Sequence, residues 1–184
     1  NDGDQDLYIA KCRQGVTDVN DKRRINQLYI NDGTGNYFEN AENQGLAVNW
    51  QSWTAEFQDV NNDGFLDCFV TNHDHASQLF LNNGFGRFTE LENTGIEVIG
   101  LPIQGLMRDM DNDGWVDIIT TGSQGQIFRN NGDLTFSEIS GVFDTDMLES
   151  MAIGDVNNDG YLDIYGGYAL IFNSPSSTPD KLWM

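Results

Sequence analysis

Asparagine- and aspartate-rich stretches carry the chemistry this sequence can perform. Asp155-Val156-Asn157-Asn158-Asp159-Gly160-Tyr161-Leu162-Asp163 is nearly repeated at Asp59 to Asp67 and at Asp109 to Asp117, and the chain opens inside a further copy, Asn1-Asp2-Gly3-Asp4-Gln5-Asp6. The shared frame is D-x-[ND]-x-D-G-x-x-D. Oxygen side chains at positions 1, 3, 5 and 9 of this frame can converge on one hard cation. The carbonyl at position 7 adds a ligand, and glycine at position 6 permits a sharp turn, as in a shortened EF-hand loop. Ca²⁺ suits such a site better than Mg²⁺, which keeps its waters and demands a tighter octahedron. Turn chemistry alone would explain Asn-Asp-Gly. It would not explain a fixed set of oxygens, nor the apolar Leu66, Val116 and Leu162 before each last carboxylate.

The candidate ligands are therefore Asp59, Asn61, Asp63, the Phe65 carbonyl and Asp67 in loop 1, and Asp109, Asp111, Asp113, the Trp115 carbonyl and Asp117 in loop 2. Loop 3 offers Asp155, Asn157, Asp159, the Tyr161 carbonyl and Asp163. The opening copy keeps Asp2, the Asp4 carbonyl and Asp6, a partial site, so the expected stoichiometry is three Ca²⁺ per chain.

Short strands must position these loops. Each loop is preceded by a strand-like run (Trp53–Phe57, Gln104–Met107, Ser150–Ile153) and followed by another (Cys68–Thr71, Ile118–Thr120, Ile164–Tyr165), with Leu7–Ala10 following the opening copy. Further runs at Gln27–Ile30, Gln78–Leu81 and Gln126–Arg129 end in Asn31-Asp32-Gly33, Asn82-Asn83-Gly84 and Asn130-Asn131-Gly132. Asx-Gly pairs adopt the positive φ angles of tight hairpins, and Tyr37–Glu39, Arg87–Glu90 and Thr135–Glu138 supply the returning strands. The position-5 aspartates Asp2, Asp63, Asp113 and Asp159 are spaced by 61, 50 and 46 residues. Four strands at a period near 50 predict β-propeller blades. The expected fold is all-β, a propeller fragment of about three and a half four-stranded antiparallel blades in a single domain over 1–184. Its units are 1–44 (truncated), 45–94, 95–140 and 141–184 (truncated). No long stretch carries a helical period. The connector Lys11 to Asn26, with its run Asp18 to Arg24, reads as a charged, solvated hairpin tip, and Ser174 to Pro179 as an irregular loop.

The chain has 184 residues, a formal charge of −20, 20 glycines and 3 prolines. Ten of its 29 acids sit in the three full loops, and three Ca²⁺ would bring the charge to −14. The residual negative surface argues against a nucleic-acid partner. No run approaches the ~20 apolar residues of a membrane span. Two cysteines, Cys12 and Cys68, do not by themselves imply a disulfide.

The D-x-N-x-D-G-x-x-D loops, together with L-[FY]-[LI]-N-[ND]-G-x-G-x-F, resemble the VCBS/FG-GAP repeats, which build the calcium-binding β-propellers of integrin α-subunit heads and of many secreted bacterial proteins. The resemblance spans essentially the whole chain. It implies a ring of seven or eight blades, with calcium in hairpin loops on one face and the ligand pattern given above. It also implies an extracellular or cell-surface location. About three and a half blades are too few for such a ring. Self-association, or pairing with the remaining blades of a longer chain, is therefore expected. Nothing matches the partner-binding loops or catalytic modules of a particular relative.

Outside the loops, His73 and His75 flank Asp74 in a connector and read as solvated polar residues rather than a transition-metal site. Trp50, Trp53 and Trp115 read as core residues or as exposed platforms for a sugar or protein, and Trp183 reads as core. The functional expectation is a non-enzymatic calcium-binding module for extracellular binding or adhesion to a protein or carbohydrate. The alternative is part of a propeller enzyme acting on polysaccharide, of lyase or dehydratase type.

Overall fold

The structure is a computed structural model that describes residues 3–143, 147–168 and 179–184. Two compact units divide the chain, Asn1–Glu92 and Asn93–Met184. In the first, β1 (Leu7–Ile9), β2 (Gln27–Asn31) and β3 (Tyr37–Glu39) form one antiparallel sheet, in chain order. A second sheet follows from β4 (Ser52–Gln58), β5 (Asp67–Asn72), β6 (Gln78–Asn82) and β7 (Phe88–Glu90). The second unit repeats the pattern. Its four-stranded sheet contains β8 (Gly105–Arg108), β9 (Asp117–Thr120), β10 (Gln126–Asn130) and β11 (Phe136–Glu138). Its other sheet contains β12 (Leu148–Gly154), β13 (Asp163–Tyr168) and β14 (Lys181–Trp183). These four meandering sheets of three or four strands are the expected all-β architecture of propeller blades.

Register explains how the loops are held. In β4–β5, Gln58 pairs with Asp67 and Phe57 with Cys68. In β8–β9, Arg108 pairs with Asp117, and in β12–β13, Gly154 pairs with Asp163. The last aspartate of each metal-type loop is thus the first residue of the following strand. Every residue of β5 and of β9 is buried, so both faces of these strands are covered, with apolar centres (Cys68–Val70, Ile118–Ile119) between buried polar ends. Leu28, Leu46, Cys68, Val70, Phe80 and Phe88 form the core of the first unit, with Tyr8, Trp50 and Phe57 packed against it. Ile119, Ile127, Leu148, Met151, Ile164 and Tyr168 form that of the second, with Phe143 and Trp183 against it. Cys12 and Cys68 are free thiols.

Two local features differ from the sequence expectation. A one-turn helix, α1 (Ala41–Gln44), ends on Gly45 in the left-handed region; it is too short to leave a periodic signature. The β2–β3, β6–β7 and β10–β11 hairpins are also longer than two-residue turns. Asp32, Asn83 and Asn131 donate their N–H groups to the carbonyls of Asn36, Arg87 and Thr135 at 3.0 Å. Positive φ falls on Gly33, Gly84 and Gly132, and again two residues on at Gly35, Gly86 and Leu134. The Asx residues act through their side chains instead. Asn83 Oδ1, for example, accepts the N–H groups of Phe85 at 2.9 Å and Arg87 at 3.2 Å.

Candidate metal centre

The three full loops fold alike. In loop 1, Asp59 Oδ1 and Asn61 Oδ1 both accept the Asp63 N–H at 3.1 Å, and Asp59 Oδ2 accepts that of Gly64 at 2.8 Å. Asp63 Oδ1 then accepts the Phe65 N–H at 2.9 Å. Loop 2 repeats this through Asp109, Asp111 and Asp113, whose Oδ1 accepts the Trp115 N–H at 2.9 Å. Loop 3 repeats it through Asp155, Asn157 and Asp159, whose Oδ1 accepts the Tyr161 N–H at 2.9 Å. Position 4 is Asn62, Asn112 or Asn158 at φ 58–60°, followed at position 6 by Gly64, Gly114 or Gly160 at φ 89–91°. Asparagine tolerates this left-handed region better than most residues. Its recurrence at position 4 is a legible signal that a frame with an unspecified residue there passes over. Within the second unit Asn112 Nδ2 also donates to the Gly160 carbonyl at 2.8 Å, tying loop 2 to loop 3.

The last aspartate does different work. Asp67 is fully buried. Its Oδ2 accepts the Val60 N–H at 3.1 Å and its Oδ1 accepts the Asn82 N–H of β6 at 2.8 Å. Asp117 makes the same pair of bonds, with Met110 at 3.0 Å and Asn130 at 2.9 Å. Asp163 is buried and accepts the Val156 N–H at 2.8 Å. Burial pushes the Asp67 carboxyl up to about 6 against the pull of those two N–H groups, with the charges of Asp63 and Asp59 adding to the rise. Asp117 is raised for the same leading reason, burial, with Asp111 and Asp113 adding. In the opening copy, Asp2 lies outside the described residues. Asp6 Oδ1 accepts the Asn31 N–H at 2.8 Å, as Asp67 does for Asn82.

The loops diverge in charge. Asp109, Asp111 and Asp117 each place a carboxylate oxygen within 4.8 Å of the others. Among the described residues, the acids of loops 1 and 3 do not close to that distance. Position 3 is there an asparagine, and Asn61 and Asn157 donate Nδ2 to Asp63 Oδ2 and Asp159 Oδ2 at 2.9 Å. Loop 2 carries one more acid and one added base. Arg129 of β10 bonds Asp111 at 2.7 Å and Asp113 at 2.8 Å. The Trp115 N–H and the Arg129 guanidinium hold Asp113 below the usual carboxylate range.

Position 7 has a structural partner as well. The Phe65 ring lies over Gly84 and the Trp115 ring over Gly132, where an added Cβ would fall 2.5 Å and 3.0 Å from ring atoms. The Asp4 carboxylate occupies the same place over Gly33.

Comparison with known protein families finds the FG-GAP-like repeat three times, over residues 1–70, 59–120 and 109–166. The chain belongs to the FG-GAP-like repeat family. Each match spans one junction between successive loops, so the repeat frame coincides with the frame of the aspartates. No curated protein matches this FG-GAP-like repeat chain.

The remaining candidates of this FG-GAP-like repeat protein lie in the connector after β5. The His75 ring stacks on Trp50 at 4.0 Å and the His73 ring on Trp53 at 4.6 Å. Trp53 keeps 40% of its surface exposed, and Trp50 is half-buried against the first core. Between the histidines, Asp74 accepts the Gln51 N–H at 2.6 Å and pairs with Arg24. Among the described residues no helix is long and apolar enough to cross a membrane.

Proposed function

We propose that this protein is a calcium-binding β-propeller module for extracellular binding, without catalytic chemistry of its own. In this reading 1–44, 45–94, 95–140 and 141–184 are successive blades of one propeller domain. The observation that carries the calcium reading is the closeness of Asp109, Asp111 and Asp117, set on a backbone path that loops 1 and 3 share. The donors are all oxygens, which suits a hard cation of flexible coordination. Asp117 is raised by burial and by neighbouring carboxylates, a field that a divalent cation relieves. The ligand set is Asp59, Asn61, Asp63, the Phe65 carbonyl and Asp67, with the corresponding residues of loops 2 and 3. Calcium there would neutralise clustered charge and rigidify each loop. Membership of the FG-GAP-like repeat family supports the extracellular setting.

Calorimetric titration of metal-free protein tests this. The expected result is three Ca²⁺ per chain with affinities of about 10⁻⁴–10⁻³ M, as in extracellular modules. Free Ca²⁺ at 100 times the Kd should add about 2.7 kcal/mol of stability per site. No heat at millimolar calcium, with identical melts in chelator, would remove the metal reading.

A further inference from the structure

Five of the nine basic residues of this chain of charge −20, Lys11, Arg13, Lys22, Arg23 and Arg24, fall in the connector between β1 and β2. The sequence suggests a solvated hairpin tip there. The structure shows a pinned loop. Arg24 is 1% exposed. Its Nε donates to the Asn49 carbonyl at 2.6 Å, Nη1 to the Val16 carbonyl at 2.9 Å, and Nη2 to Asp74 at 2.5 Å. Gln51 Nε2 donates to the carbonyls of Arg13 at 2.9 Å and Val16 at 3.0 Å, and Gln51 Oε1 accepts the Arg13 N–H. Asn26, buried, accepts the Lys11 N–H at 2.8 Å. Three buried polar side chains thus hold the connector in one conformation.

What this holds in place is an open cleft of about 560 Å³ lined by Ile9, Ala10, Cys12 and four bases, Lys11, Arg13, Lys22 and Arg23. Arg23 pairs with Asp21 at 2.5 Å. Lys11, Arg13 and Lys22 enter no ion pair among the described residues. The acids nearest in the chain are Asp18, which accepts the Asn20 N–H at 2.9 Å, and Asp21; across the loop Asp74 is taken by Arg24 and Gln51.

We propose that this cleft binds a small organic anion, one carrying one or two carboxylate, sulfate or phosphate groups. Lys and Arg supply the charge-assisted donors such groups need. The volume lies in the range of small-molecule sites and exceeds a bare inorganic ion, and Ile9 and Ala10 offer the organic body an apolar wall. The surrounding field of a −20 protein repels long polyanions, so the ligand is short. This places the ligand site for the binding role proposed above; it rests on that role but not on calcium.

The test is calorimetric titration of the calcium-saturated protein at low ionic strength with galacturonate, glucose 6-phosphate and glucose 6-sulfate, with glucose as the neutral control. At least one acidic sugar should bind, more weakly as salt rises, and glucose should not. The three arms tell carboxylate, phosphate and sulfate apart. Arg13 and Lys22 are exposed, so the double variant Arg13→Ala/Lys22→Ala should fold and melt as the parent. It should bind about tenfold more weakly or worse, as expected for a lost charge-assisted hydrogen bond. Equal binding of glucose, or undiminished binding by the double variant, would overturn the proposal. So would silence with all three acids while calcium still titrates, and that result would leave the calcium module standing.

Discussion

The buried carboxylate of Asp67, the first residue of β5, accepts the backbone N–H of Asn82 on the adjacent strand β6 at 2.8 Å. Its other oxygen serves Val60, so one side chain joins the loop, β5 and β6. Asp67→Ala should therefore destabilise the protein by about 2 kcal/mol even in chelator, because two backbone donors lose their acceptor. Asp59→Ala, whose partners Asp63 and Gly64 are exposed, should cost under about 1 kcal/mol in chelator and show its main loss only with calcium. Urea denaturation of both variants, with and without calcium, checks the contrast. Equal losses in chelator would mean that position 9 has no structural role of its own.

Loop 2 carries its own counter-ion. Arg129 holds Asp111 and Asp113 in a place where β6 has Leu81. Under the calcium reading, Arg129→Leu should tighten calcium binding at one of the three sites by about two- to fivefold, the scale of an exposed ion pair. Site-resolved calorimetry measures it. A uniform change at all sites, or none, would show that the arginine does not compete.

The hairpin glycines differ in what surrounds them. Gly84 at φ 74° lies under the Phe65 ring, whereas Gly86 at φ 75° meets nothing closer than 3.8 Å. Gly86→Ala should cost about 1 kcal/mol for the left-handed backbone, and Gly84→Ala clearly more. Leu134 sits where the other hairpins have Gly35 and Gly86, at φ 69°. Leu134→Gly should be stabilising or neutral, since the relief of about 1–2 kcal/mol exceeds the entropy glycine loses on folding, about 0.5–1 kcal/mol. Thermal melts of the three variants would rank them.

Asp74 supplies a pH test away from the metal loops. Burial opposes its ionisation, but the Gln51 N–H and the Arg24 guanidinium outweigh it and hold its carboxyl below the ordinary range. A carboxyl depressed in the folded state stabilises above its unfolded value, near about 3.9, and that contribution disappears as pH falls through the folded value. Asp74→Asn should be less stable than the parent at neutral pH, with the gap closing in acid below about pH 4. Denaturant midpoints from pH 7 to pH 3 would show it; a constant gap would mean the Arg24 contact is not electrostatic.

What the sequence decided by itself is local. Asx-Gly at fixed spacing, apolar runs of strand length and the nine-residue loop frame each act through neighbours a few residues apart. Strands β1 to β13, the presence of the hairpins though not their length, and the three loops were therefore legible from residue order. Asn62, Asn112 and Asn158 belong with them, because asparagine tolerates the left-handed backbone that each of them adopts two residues before the loop glycine. Tertiary structure decided whatever depends on register and long-range contact. Asp67 is read from the sequence as a ligand. That it is also buried and bound to Asn82 follows only once β5 and β6 pair. The Arg129 bridge to Asp111 and Asp113 likewise needs β10 laid beside the loop. The connector after β1 looks like a solvated, charged tip. Gln51 and Asp74, 38 residues from Arg13 and 50 from Arg24, fix it, and four of its basic residues line one open cleft. Contacts at such separations leave no trace in local pattern, because the buried polar groups that make them look in sequence like any other surface residue.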